Sequence, residues 1–122
     1  MKAFQSIMIA SAFAASVLAS PFASAHASLK ASDPLAGSTV ATAPKQISLT
    51  FNEKIEQAFS TVTLNDSTGK AVTTAKAKVD ADNPAVLRLE TPTLAAGAYT
   101  VKWAVAGHDG HRRTGEFSFT VK

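Results

Sequence analysis

The three histidines of this 122-residue chain are the residues whose positions indicate chemistry. His108 and His111 flank one short H-D-G-H loop, whereas His26 lies near the start of the chain. Imidazole nitrogen and carboxylate oxygen both bind divalent transition metals. In an extended chain Asp109 and His111 would point to one side and His108 to the other. We therefore expect Asp109 and His111 to be metal ligands, with His108 as a neighbour or an alternative ligand.

The start of the chain has the pattern of a secretory signal peptide. Lys2 gives a positive start, residues 7–18 are apolar, and Ala23-Ser24-Ala25 is a cleavage site of small residues. The apolar stretch is short for a membrane span. We predict a signal peptide at residues 1–25 and one mature domain at 26–122. The chain has no cysteine that could carry a lipid, so we expect a periplasmic protein without a membrane anchor.

Cleavage after Ala25 would give His26 a free α-amine. This amine and the imidazole Nδ1 can then close a chelate ring on one metal ion. The α-amine pKa is only about 7.7–8.0, so a metal displaces its proton at little cost near neutral pH. A planar, nitrogen-rich donor set suits copper(II), which also binds more tightly than the other divalent first-row ions. The sequence thus predicts a copper(II) site at His26, Asp109 and His111, with zinc as the alternative ion.

Other residues near these histidines are open to two interpretations. Glu53 is either a hydrogen-bond acceptor that orients a ligand imidazole or a solvated carboxylate at a strand end. Arg112-Arg113 adds positive charge that opposes cation binding, and is either solvated or faces an anionic partner. Gly107 and Gly110 would let the backbone turn and approach other groups closely.

Composition and motifs exclude several classes of function. The net charge is +3, and loss of Lys2 with the signal peptide lowers it to +2. The basic residues are scattered and accompanied by few aromatic rings, which argues against nucleic-acid binding. No Ser–His–Asp or Cys–His arrangement and no phosphate-binding glycine loop is present, so we expect no catalytic residues.

The elements that must position the histidines are short strands. Apolar and polar residues alternate at 47–51, 62–64, 99–105 and 117–121, and a weaker pattern at 72–79 predicts an edge strand. Trp103 is expected to be the largest side chain at the centre of the core. About seven strands without helical periodicity predict an all-β, seven-stranded Greek-key sandwich or barrel. The loop after residue 106 connects its last two strands.

At this point the sequence resembles the CopC-type periplasmic copper-binding proteins. Four motifs in order carry the resemblance: H-A-S-L with D-P-L-A-G-S at residues 26–38, A-P with I-S-L-T-F-N-E at 43–53, G-A-Y-T-V-K-W at 97–103, and D-G-H with G-E-F-S-F-T-V at 109–121.

The resemblance implies an immunoglobulin-like or cupredoxin-like fold of seven strands. It also implies a copper(II) site at His26, Asp109 and His111, the same residues that the spacing indicates. Some members bind copper(I) through a methionine-rich segment, but here Met1 and Met8 are the only methionines and both precede His26. Thioether sulfur is what copper(I) selects, so we expect no high-affinity copper(I) site.

The function predicted is that of a monomeric periplasmic protein that sequesters or delivers copper(II) for copper tolerance and homeostasis. Delivery needs an acceptor, for which an inner-membrane copper transporter is the candidate. One alternative is a copper monooxygenase-like enzyme with an N-terminal histidine chelate, which the short chain and the Asp ligand disfavour. The other is a metal-free β-sandwich interaction domain, which leaves the grouping of the histidines unexplained.

Overall fold

The computed structural model describes residues 28–72 and 75–122, so the predicted signal peptide and His26 lie outside the described residues. Within these ranges the chain forms eight strands and a short 3-10 turn at Gln57–Phe59. The strands are β1 Leu29–Asp33, β2 Thr39–Val40, β3 Gln46–Phe51, β4 Thr61–Asn65, β5 Lys78–Val79, β6 Val86–Glu90, β7 Gly97–Ala106 and β8 Arg112–Val121. No helix in this part of the chain is long and apolar enough to cross a membrane.

The strands form two four-stranded sheets, in the orders β1-β3-β6-β5 and β2-β8-β7-β4. All paired neighbours are antiparallel except β2, which runs parallel to β8. This is the strand order of an immunoglobulin-type sandwich whose first strand is divided between the sheets as β1 and β2. The predicted all-β fold of two layers is confirmed. The count differs from the predicted seven, because β2 is a two-residue strand inside a segment rich in turn-forming residues.

The core lies between the sheets and is filled by the alternating residues of β3, β6, β7 and β8. Phe51 and Phe119 are its largest fully buried side chains. Trp103 is only partly buried, so its predicted central position is wrong. Its ring lies against Gly115 on the neighbouring strand and contacts Phe51 edge-on, at 6.3 Å between ring centres. A ring this large is better placed where the partner strand has no side chain.

The strand predicted at 72–79 is also largely wrong. Among the residues of this range that the structure describes, Lys78–Val79 alone forms a strand, and it lies at the edge of its sheet as expected. The Val72 amide instead donates to the Leu64 carbonyl, at 2.8 Å, and Ala71 bridges to Asn65. The start of this segment therefore closes the turn after β4, and its alanines and lysines offer little apolar surface for pairing with β6.

Three segments meet at one end of the sandwich. The start of β1 pairs with the end of β3, through Leu29 and Phe51. The β7–β8 hairpin, paired over ten positions, places its connecting loop at the same end. A bridge between Ile55 and Gly107 joins the segment after β3 to that loop. The fold thus places the start of β1 at the same end of the sandwich as the H-D-G-H loop.

Candidate metal centre

The H-D-G-H loop is a tight turn that closes the β7–β8 hairpin. The Gly110 amide donates to the Gly107 carbonyl at 2.9 Å, and the Gly107 amide donates to the His111 carbonyl at 3.1 Å. Gly110 has a φ of 83°, which is the left-handed region that favours glycine. The loop is therefore not the extended chain assumed from its sequence, and a turn brings Asp109 and His111 together instead.

Asp109 and His111 are in direct contact. Asp109 Oδ1 accepts a hydrogen bond from the His111 backbone amide at 3.0 Å, and Asp109 Oδ2 lies 2.9 Å from His111 Nδ1. The Asp109 side chain is 33% exposed and the His111 side chain 62%. An ion from solvent can thus reach a carboxylate and an imidazole that the turn already holds side by side.

The Glu53 carboxylate lies directly against the same turn. A Cβ at Gly107 would overlap Glu53 Oε1, and the same point is 3.4 Å from Asp109 Oδ1. Glu53 Oε1 is buried and has no hydrogen-bond partner within the described ranges. An unpaired buried carboxylate oxygen is costly, so Glu53 Oε1 has the capacity to accept a hydrogen bond or bind a cation. A side chain at position 107 would displace this carboxylate from the turn.

The beginning of the described chain is fastened one residue away from Glu53. The Ser28 amide donates to Asn52 Oδ1 at 2.7 Å, and the Asn52 amide donates to the Ser28 carbonyl at 3.0 Å. His26 itself lies outside the described residues, but two peptide units limit its Cα to about 7 Å from that of Ser28. The sequence did not predict the hydrogen bonds of Asn52 to Ser28, because a contact between residues 24 positions apart leaves no local pattern.

His108 lies apart from this group, as the sequence predicted. Its Nδ1 is 3.8 Å from Glu56 Oε1, and it shares a groove with Phe59 and Arg112. Across residues 28–72 and 75–122 no three His, Cys, Asp or Glu side chains converge closely enough to hold a metal ion. Asp109 and His111 are therefore a pair of donors, with Glu53 beside them, to which a further donor group must be added.

Comparison with known proteins agrees with this geometry. The CopC domain matches residues 29–122. The structure is similar to the crystal structure of CopC from Methylosinus trichosporium OB3b, with a TM-score of 0.76, 42% identity, and coverage of 80% of this chain and 94% of that one. The sequence is 34% identical over 128 residues to copper resistance protein C of Xanthomonas campestris pv. juglandis, and the match covers 100% of both chains.

A third relative is much longer than this chain. Copper transport protein CutJ of Bacillus subtilis (strain 168) is 30% identical over 98 residues, which are 80% of this chain and 18% of that protein. The domain match and the full-length relative both cover more than two thirds of the sequence. Together with the two-sheet fold and the loop at its end, they show that this chain belongs to the CopC family.

Proposed function

We propose that this protein binds one copper(II) ion as cargo and serves copper resistance and homeostasis, by sequestering the ion or delivering it. The proposed ligands are the α-amine and Nδ1 of His26, a carboxylate oxygen of Asp109, and the imidazole of His111. The observation that carries the proposal is the 2.9 Å separation between Asp109 Oδ2 and His111 Nδ1.

That separation suits two neighbouring ligands of one copper ion. Metal–nitrogen bonds of about 2.0 Å at right angles place adjacent donors about 2.8 Å apart. A copper ion could thus replace the proton between Asp109 and His111 with little movement of either side chain. Asp109 Oδ1 can keep its hydrogen bond to the His111 amide, which fixes the turn while the other oxygen binds the metal.

The remaining donors would come from the start of the mature chain. The Ser28–Asn52 hydrogen bonds hold that segment next to Glu53, and Glu53 lies against the turn that carries Asp109. We propose that His26, two residues before Ser28, reaches the Asp109–His111 pair from this segment. A buried Glu53 oxygen would then accept a hydrogen bond from the amine or imidazole of His26, which fixes the orientation of a ligand.

Copper(II), and not copper(I), is the proposed oxidation state. Nitrogen and carboxylate donors favour copper(II), whereas copper(I) selects thioether and thiolate sulfur. The sequence has no cysteine, and its two methionines both precede His26.

We place the mature protein in the periplasm, after removal of residues 1–25, and assign it a binding role and not a catalytic one. The two curated relatives described above are named for copper resistance and copper transport. A domain of this kind occupies 18% of the length of CutJ, a copper transport protein. This supports an inner-membrane copper transporter as the acceptor of the ion.

Metal competition tests this proposal. The purified mature protein, with His26 confirmed as its first residue by mass spectrometry, is titrated with copper(II) in the presence of a large excess of zinc(II). We expect one equivalent of copper(II) to bind and zinc(II) not to displace it. Displacement of copper(II) by the excess of zinc(II), or the absence of tight binding of either ion, would overturn the assignment.

A further inference from the structure

A groove lies beside the hairpin loop, and Asp109 and His111 are not among its lining residues. It has a volume of about 400 Å³ and is lined mainly by Glu56, Phe59, His108 and Arg112. Phe59 is 64% exposed although it is a large apolar side chain. The groove contains the one histidine of the H-D-G-H loop that the proposed copper site does not use.

Glu56 is held rigidly at the edge of this groove. Its amide donates to the Ala106 carbonyl at 2.9 Å, and its carbonyl accepts a hydrogen bond from Ser60 Oγ at 2.7 Å. Ser60 Oγ in turn accepts from the Ala106 amide at 3.1 Å, in a buried position. These bonds fasten the backbone of Glu56 to the strand that ends just before His108.

His108 and Glu56 form an exposed pair of metal donors. Nδ1 of His108 lies 3.8 Å from Oε1 of Glu56, and the side chains are 74% and 49% exposed. Two donors on an ion with bonds of about 2.0 Å are separated by about 2.8 Å in adjacent positions and about 4.0 Å in opposite positions. The observed separation lies between these limits, so an ion can be shared without rearrangement of the loop.

We propose that His108 and Glu56 form a second, weaker copper(II) site beside the loop, separate from the Asp109–His111 pair. Two protein donors leave the other coordination positions to water or to the ligands of a copper acceptor, so the ion exchanges readily. Arg112 lines the same groove, and its positive charge lowers the affinity for a cation. The inference rests on the proposed function only in taking copper(II) as the cargo, because His26 is not needed for it.

The test is a titration of the mature protein with copper(II) to two equivalents. Calorimetry gives the affinity of each equivalent, and NMR shows which amide signals the paramagnetic ion broadens. We expect the second equivalent to broaden the signals of His108, Glu56 and Phe59 beyond the broadening that the first ion causes beside the same loop. His108→Ala should weaken the second equivalent by at least about tenfold. Arg112→Gln should strengthen it by up to about fivefold, as expected for an exposed charge.

Glu56→Gln and Glu90→Gln form the matched comparison. Glu90 is an exposed carboxylate at the far end of β6, so its substitution should leave the second equivalent unchanged while Glu56→Gln weakens it. If the tight first equivalent is absent but the weaker one is present, the proposed function is rejected. The broadening at His108 then still tests the second site by itself. No second equivalent, or one that His108→Ala and Glu56→Gln leave unaltered, would overturn the second site.

Discussion

Asp109 has two roles in the proposed site: it accepts a hydrogen bond from the His111 amide, and its negative charge binds copper(II). Substitution by asparagine can separate these two roles. In Asp109→Asn the side-chain oxygen can still accept the His111 amide, but the negative charge is lost. We expect copper(II) affinity to fall by about 10- to 100-fold, the loss typical of altered groups around a metal. His111→Ala removes the imidazole and should cost at least as much. Calorimetry of the first copper(II) equivalent measures both changes.

Asp82→Asn is the control for this pair of variants. Asp82 is exposed in the turn after β5, and its substitution makes the same change of charge away from the loop. Its copper(II) affinity should equal that of the unaltered protein. If Asp109→Asn also bound copper(II) with unaltered affinity, the carboxylate would have no part in the site.

The close approach of Glu53 to Gly107 gives a second prediction for a single residue. An alanine Cβ there overlaps Glu53 Oε1, so the carboxylate must move away from the turn. We expect Gly107→Ala to lower the free energy of unfolding by about 1–3 kcal/mol, as for overpacked sites, and to weaken copper(II) binding. Urea denaturation and calorimetry measure the two effects.

The double variant Glu53→Ala/Gly107→Ala tests whether the stability loss comes from the overlap between the new Cβ and the Glu53 carboxylate. It removes the clashing carboxylate, so most of the stability lost in Gly107→Ala should return. Copper(II) binding should stay weak because Glu53 is absent. A Gly107→Ala protein as stable as the unaltered one would show that the close approach imposes no constraint.

The residues of the candidate centre were largely predictable, but their contacts were not. The clustering of histidines indicated Asp109 and His111, and the motif after β3 indicated Glu53. Their packing around Gly107 depends on a bridge between Ile55 and the loop, 52 positions further along the chain. Glu56 was missed for the same reason, since nothing near it in the sequence indicates His108.

Among the elements, the β7–β8 hairpin has the greatest importance because it carries the loop. Tyr99, near the start of β7, is buried and donates its hydroxyl hydrogen bond to the Ala95 carbonyl at 2.7 Å. This contact, typical of immunoglobulin-type sandwiches, ties the strand to the connection that precedes it. Tyr99→Phe should lower the free energy of unfolding by about 1 kcal/mol, the usual net value of one hydrogen bond.

Thermal or urea denaturation measures this loss, and copper(II) affinity provides the control. Tyr99 lies at the end of β7 far from the loop, so the first copper(II) equivalent should bind as in the unaltered protein. Equal stability of Tyr99→Phe and the unaltered protein would show that water can satisfy the Ala95 carbonyl in place of the tyrosine hydroxyl at no cost in free energy.

Long strands could be predicted from the sequence because one of their faces is buried throughout. In β3 and β7 the residues of one parity meet the core, which leaves a period of two over six to ten residues. The two-residue strands β2 and β5 are too short to show a period. Trp103 follows the correct parity, but its partial exposure depends on Gly115 in the next strand, which alternation does not indicate.

For the whole molecule, the account requires that the first and last parts of the mature chain form one site. His26 and the loop at 109–111 are joined only by the fold, through the start of β1, the end of β3 and the hairpin. Copper(II) would therefore bind the folded state more tightly than the unfolded chain, which keeps only the chelate of His26, and bound copper should stabilise the protein.

The most direct test compares the mature protein that begins at His26 with a version carrying one extra residue before it. The extra residue converts the α-amine into an amide and leaves every other side chain in place. The account predicts one tightly bound copper(II) equivalent in the first protein and binding weaker by at least about a hundredfold in the second. Circular dichroism checks that both are folded. Equal affinities would contradict the terminal chelate, and with it the site proposed for His26, Asp109 and His111.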